Sequence, residues 1–93
     1  MNEQRRNRIN LYANDILNIL ATFNGKIDGM DEIAAAIQPF AMGDFTKPRT
    51  RLTLACNGLN KIMDQVKSQK FDTSAYTMCS NIRAYLSAIS SNI

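Results

Sequence analysis

Apolar residues return every three or four positions along this chain, and no stretch alternates as a half-buried strand would. That spacing is what one face of an α-helix produces. The first stretch runs from about Glu3 to Phe23, with Ile9, Tyr12, Ile16, Ile19, Leu20 and Phe23 on its apolar face. Asn24-Gly25 closes it, Gly25 being able to take the left-handed conformation at the C-cap. A short second helix begins at Asp28 or Met30, turns Ile33, Ala34 and Ile37 inward, and carries Asp31 and Glu32 in its first turn, where the helix dipole favours negative charge. Pro39 lacks an amide hydrogen and disfavours helical geometry in the residue before it, which predicts a stop at Gln38.

Residues Phe40 to Lys47 read as a loop whose Phe40, Met42 and Phe45 are expected to cap one end of the core; the alternative is an exposed apolar patch. A third helix should open at Pro48, with Thr46 or Lys47 near its N-cap, because proline suits the first helical position. Its inward stripe is Leu52, Ala55, Cys56, Leu59, Ile62, Met63 and Val66, and it frays near Ser68-Gln69-Lys70. Gly58 costs that helix about 1 kcal/mol relative to alanine, which a close helix crossing there would explain. The last helix begins at Asp72 or Thr73 as N-cap, with Phe71 able to pack back as a hydrophobic staple. Its stripe is Ala75, Met78, Cys79, Ile82, Tyr85, Leu86, Ile89 and Ile93. Four amphipathic helices with short connections bury these stripes best as one all-α domain over residues 1–93, an antiparallel four-helix bundle.

The side chains that usually carry chemistry are sparse. There is no histidine, which removes the usual general base near neutral pH and the commonest zinc ligand. Cys56 and Cys79 have no histidine to activate them, and both fall on apolar stripes, where a thiol reads as a small hydrophobe. The adjacent pair Asp31-Glu32 is accounted for by the helix dipole. No acidic cluster has metal-ligand spacing, and no glycine-rich phosphate loop is present. The expectation is a binding protein with no cofactor and no catalysis.

Arg5, Arg6 and Arg8 resemble the start of a signal peptide, but Asn10, Asn14, Asp15 and Asn18 interrupt the apolar segment that should follow. A cytoplasmic location with reduced thiols is therefore expected. Charge is uneven along the sequence. Residues 1–46 hold four basic and six acidic groups, and residues 47–93 hold seven basic and two acidic groups. A net +5 half suits an anionic partner: nucleic acid, a membrane surface or an acidic protein patch. Lys47-Pro48-Arg49-Thr50-Arg51, at the start of a helix, is the strongest local signal for DNA. However, nearly ten residues separate it from Gln38, where helix-turn-helix motifs use about three or four.

The second half also carries a resemblance. A proline-led third helix, the segment Lys70-Phe71-Asp72-Thr73-Ser74-Ala75-Tyr76, and a last helix patterned Ile82, Leu86, Ile89 resemble the immunity proteins of pediocin-like bacteriocins, the enterocin A immunity family. The likeness covers Pro48 to Ile89 in pattern and the whole chain in helix order. It implies a cytosolic, non-catalytic protein that associates with a membrane permease of the mannose phosphotransferase type when that permease is occupied by the bacteriocin peptide. It further implies that the C-terminal half sets which peptide is resisted, which here includes Lys67, Lys70, Phe71, Tyr76 and Arg83. Weak contact with the inner membrane surface would accompany a basic half. Two other functions remain compatible with the residues: a small helical nucleic-acid-binding or regulatory protein of phage type, and a redox role through the two cysteines.

Overall fold

Each of the four stretches is a helix. In a computed structural model that describes residues 1–93, α1 spans Glu3–Thr22, α2 Met30–Ala41, α3 Pro48–Ser68 and α4 Thr73–Ser91, with no strand. Each helix packs on two neighbours, α1 on α2, α2 on α3, α3 on α4 and α4 back on α1, while the backbones of the diagonal pairs stay further apart. Hydrogen bonds between helices give the directions. Asn10, early in α1, reaches the last carbonyls of α2, and Tyr76, early in α4, reaches Val66 near the end of α3. The fold is an antiparallel four-helix bundle, 43 × 21 × 19 Å.

Its core is aliphatic: eight of the nineteen buried apolar residues are isoleucines, and Phe40 is the largest side chain fully removed from solvent. Isoleucine is a mediocre helix former because its branched Cβ loses rotamer freedom. Burying each such side chain returns about 1.5–3 kcal/mol, which outweighs a propensity deficit of a few tenths. Ala13, Ala36, Met30 and Ile27 join this core beyond the stripes read from sequence, and Ala34 is only half-buried where Ala36 is inside.

Three expected boundaries move. α1 ends on an extended Phe23, so Gly25, at φ +129°, lies beyond the cap and not in it. α4 closes at Ser91, with Asn92 as its C-cap, and so does not run on to Ile93. The largest change is at Pro39, which does not stop α2: the helix continues to Ala41. The lost amide bond would have gone to the carbonyl of Ala35, itself an exposed residue. The extra turn is secured from outside. Phe40 is fully buried and stacks with Phe45, ring centroids 6.2 Å apart. Asn10 Nδ2 donates to the carbonyls of Phe40 and Ala41, at 3.1 and 2.9 Å, satisfying two of the acceptors a helix end leaves open. Phe40 and Phe45 thus cap the core as expected, while Met42 is 77% exposed.

Pro48 opens α3 and Lys47 is its N-cap, in the left-handed region at φ +48°. Asp44 holds this loop: it accepts from the Thr46 amide at 3.0 Å and hydroxyl at 2.7 Å, while Arg51 Nε donates to the Thr46 carbonyl at 2.7 Å. Asp72 caps α4 by accepting from the Ser74 amide at 3.1 Å, and also accepts from the Ser74 hydroxyl. The expected close crossing at Gly58 is present. Gly29, at φ +110°, lies against it, and a Cβ on Gly58 would stand 2.8 Å from the Gly29 carbonyl oxygen and 2.9 Å from Ile33 Cγ1.

Gly58→Ala should destabilise the bundle by about 1–3 kcal/mol, read as a lower urea midpoint, even though alanine is the better helix former, because the obstacle is backbone. Hydrogen bonds from Ser74 hold the Asp72 carboxyl below its usual range. A depressed carboxyl adds stability above its unfolded pKa, and that stability is lost as pH falls through the folded value. Asp72→Asn should therefore flatten the fall in melting temperature on acidification below about pH 4.

Candidate functional site

The sequence-predicted site residues divide between the α3–α4 seam and the connection at its end. α3 and α4 present Met63, Val66 and Lys67 from one side and Tyr76, Cys79, Ser80 and Arg83 from the other, around an open groove of about 200 Å³. Lys67, Tyr76 and Arg83 therefore come together. Lys70 and Phe71 do not line this groove: Lys70 is exposed on the 69–72 connection, and Phe71 is half-buried against the core.

The antiparallel register builds the groove. Tyr76 stands one turn into α4, and its hydroxyl donates to the Val66 carbonyl at 3.2 Å, one of the four acceptors left open at the end of α3. That bond tethers the ring at its hydroxyl, while 52% of the residue stays exposed. Two turns further on, Arg83 crosses back to α3, and its Nη2 lies 3.0 Å from the sulfur of Met63, a weak acceptor. Arg83 also borders a second groove on the same seam, lined by Leu52, Cys56, Leu59, Leu86 and Ser90 among others. The guanidinium is thus a bridge between two shallow depressions. Both have apolar floors and hydroxyl-bearing or cationic rims.

Cys79 lies in the floor of the first groove, 8% exposed. Burial pushes its thiol up from the ordinary value, and nearby Arg83 only partly opposes this. A thiol held protonated is a poor nucleophile. Cys56 lies in the second groove, and both cysteines are free. The α3 residues facing Cys79 begin at Met63, about 10 Å along the helix from Cys56 at 1.5 Å per residue. Packing α3 on α4 does not make the two thiols a pair. No group of His, Cys, Asp and Glu is arranged to hold a metal ion, and no helix is long and apolar enough to cross a membrane.

Comparison of the chain with protein-family models, with curated proteins and with solved structures finds no match. The geometry therefore carries the functional argument. Met63, Val66 and Cys79 belong to the groove but read in sequence as core positions; Met63 is in fact half-buried, at the edge of its stripe. Their signal in the sequence was indirect, since a stripe wider than its partner helix must leave its margin at a seam.

The thiols differ measurably. A disulfide reagent at neutral pH should modify half-buried Cys56 well before Cys79 in the folded protein, and both at similar rates in urea. Equal rates in the native state would contradict the burial of Cys79.

Proposed function

We propose that this chain is an immunity-type binding protein that acts by occupancy, without cofactor or catalysis, at the cytoplasmic face of the membrane. Its partner in this reading is a permease of the mannose phosphotransferase type with a bacteriocin peptide bound. The observation that carries the reading is the α3–α4 groove. It brings Lys67, Tyr76 and Arg83 together on the half of the chain whose pattern resembles the pediocin-like immunity proteins.

The groove suits such a task physically. Its apolar floor can take one or two side chains from a partner segment, and Tyr76 adds a large surface at little entropic cost because its hydroxyl is already tethered. Lys67 and Arg83 on the rim favour a partner with acidic groups beside its apolar anchor. Lys70 and Phe71 lie outside the groove, Phe71 packed half-buried against the core, and take no part in this contact. Capture of an occupied pore needs affinity and fit, and none of these residues is asked to transfer a proton or form a bond.

The test is expression in a strain sensitive to pediocin-like bacteriocins. Resistance to one or a few peptides of a panel is expected. Tyr76→Ala combined with Arg83→Ala should abolish that resistance while leaving helical content unchanged. No gain of resistance to any peptide in the panel would overturn the proposal.

A further inference from the structure

The uneven charge along the sequence becomes a different unevenness in space. The antiparallel fold carries the start of α1 to the end where α2 finishes and α3 begins, as the bonds from Asn10 to the carbonyls of Phe40 and Ala41 require. Arg5, Arg6 and Arg8 therefore share one end of the bundle with Lys47, Arg49 and Arg51. Among side chains only Glu3 and Asp44 oppose these six cations there, giving this end a side-chain charge of +4. The remaining five basic and six acidic residues leave the rest of the molecule at −1. The whole positive excess of the chain, +3 at neutral pH, belongs to one tip about 20 Å across (21 × 19 Å in section).

These cations stand where the fold disfavours them. Arg5 and Arg6 lie in the first turn of α1, and Arg49 and Arg51 in the first turn of α3, beside the positive ends of two helix dipoles. α3 has no acidic residue in its first turn, and its N-cap Lys47 provides no side-chain hydrogen bond. Arg51 is engaged with Thr46 and Asp44, and Arg8 lies 3.5 Å from Asn92 Oδ1. Arg5, Arg6, Lys47 and Arg49 are exposed, with no carboxylate within ion-pair distance. An unfavourable arrangement kept at a surface is a mark of use.

Apolar exposure at the same end indicates the partner. Met42 projects from the 42–47 connection, and Leu54 and Leu11 are exposed on the flanks of α3 and α1 below it. The aromatic rings near this tip, Phe40, Phe45 and Tyr12, are buried or half-buried, so it has no platform on which bases could stack. A convex tip with arginines around a protruding methionine matches the boundary of an anionic bilayer, where cations meet headgroup phosphates and apolar side chains reach the acyl region.

We infer that the Arg5/Arg6/Arg49/Met42 end of the bundle docks on anionic lipid surfaces, holding the long axis away from the membrane and leaving the α3–α4 seam open on its side. This inference does not depend on the permease reading, because lipid vesicles contain no permease.

The experiment is sedimentation of the full chain with phosphatidylcholine vesicles, with and without phosphatidylglycerol, alongside a duplex DNA titration at the same salt. Binding is expected only to the phosphatidylglycerol vesicles, and it should weaken steeply as salt rises from about 0.1 to about 1 M. The triple variant Arg5→Gln, Arg6→Gln, Arg49→Gln should lower the partition coefficient about a hundredfold, and Met42→Ser severalfold. Lys67→Gln with Lys70→Gln, at the opposite end, should change it by less than the Met42 variant does. All these positions are exposed, and unchanged helical content confirms folding. Equal binding to neutral vesicles, no binding to anionic ones, equal loss from the Lys67/Lys70 variant, or tighter binding to DNA than to the vesicles would each overturn the inference.

Discussion

The bundle depends on one place where backbone meets backbone. Gly29 and Gly58 let the start of α2 lie against the middle of α3 with no side chain between them. A Cβ on either residue would collide with the other's carbonyl oxygen, and Gly29 also needs a positive φ to turn the chain into α2. This contact sets the distance between α2 and α3, and the neighbouring bonds follow from it. Gln65 Nε2 reaches the Asp28 carbonyl at 2.7 Å, and Lys61 pairs with Glu32 across the same junction. The Glu32 carboxylate, by hydrogen bond and charge, pushes the Lys61 ammonium up from its ordinary pKa. Gly58 gives up helix propensity and gains an approach that no other residue permits.

The helix ends are finished by other helices as much as by local caps. Asn10 of α1 closes α2, and Tyr76 of α4 takes a carbonyl at the end of α3. Such bonds couple secondary structure to assembly: the last turn of α2, with a proline in it, is kept because α1 is there to receive its carbonyls. The same register builds the two surfaces singled out above. The groove exists because Tyr76 and Arg83 face Val66 and Met63 across an antiparallel seam. The basic tip exists because two reversals of the chain, between α1 and α2 and between α2 and α3, bring two distant arginine clusters to one end. One surface is apolar with a cationic rim and lies along the side of the bundle; the other is cationic with an apolar point and lies at its end.

Local signals accounted for much of the architecture. The three-four spacing, Pro48, Asp72 and Gly58 each pointed to a feature the fold contains, because each acts through neighbours on the same helix or through a steric limit any packing must respect. Lys67, Tyr76 and Arg83 share one groove because they lie within one stretch of chain that folds back on itself. Lys70 and Phe71 were placed with them by proximity in sequence, but the connection between helices points them elsewhere. The boundary at Pro39 was misplaced because the partners that keep α2 helical are Asn10, thirty residues away, and the interior that receives Phe40.

By itself, the sequence determined that this chain is helical, where its four helices lie to within a few residues, and which side of each faces inward. Those properties follow from periodicity and from the stereochemistry of proline, glycine and capping side chains, which act over a few residues. Only the tertiary structure decided where charge accumulates and which side chains share a groove. Along the sequence the positive excess belongs to residues 47–93. In space it belongs to one end, because an antiparallel bundle sets the beginning of α1 at the same end as the beginning of α3, and electrostatic potential depends on distance through space and not along the chain.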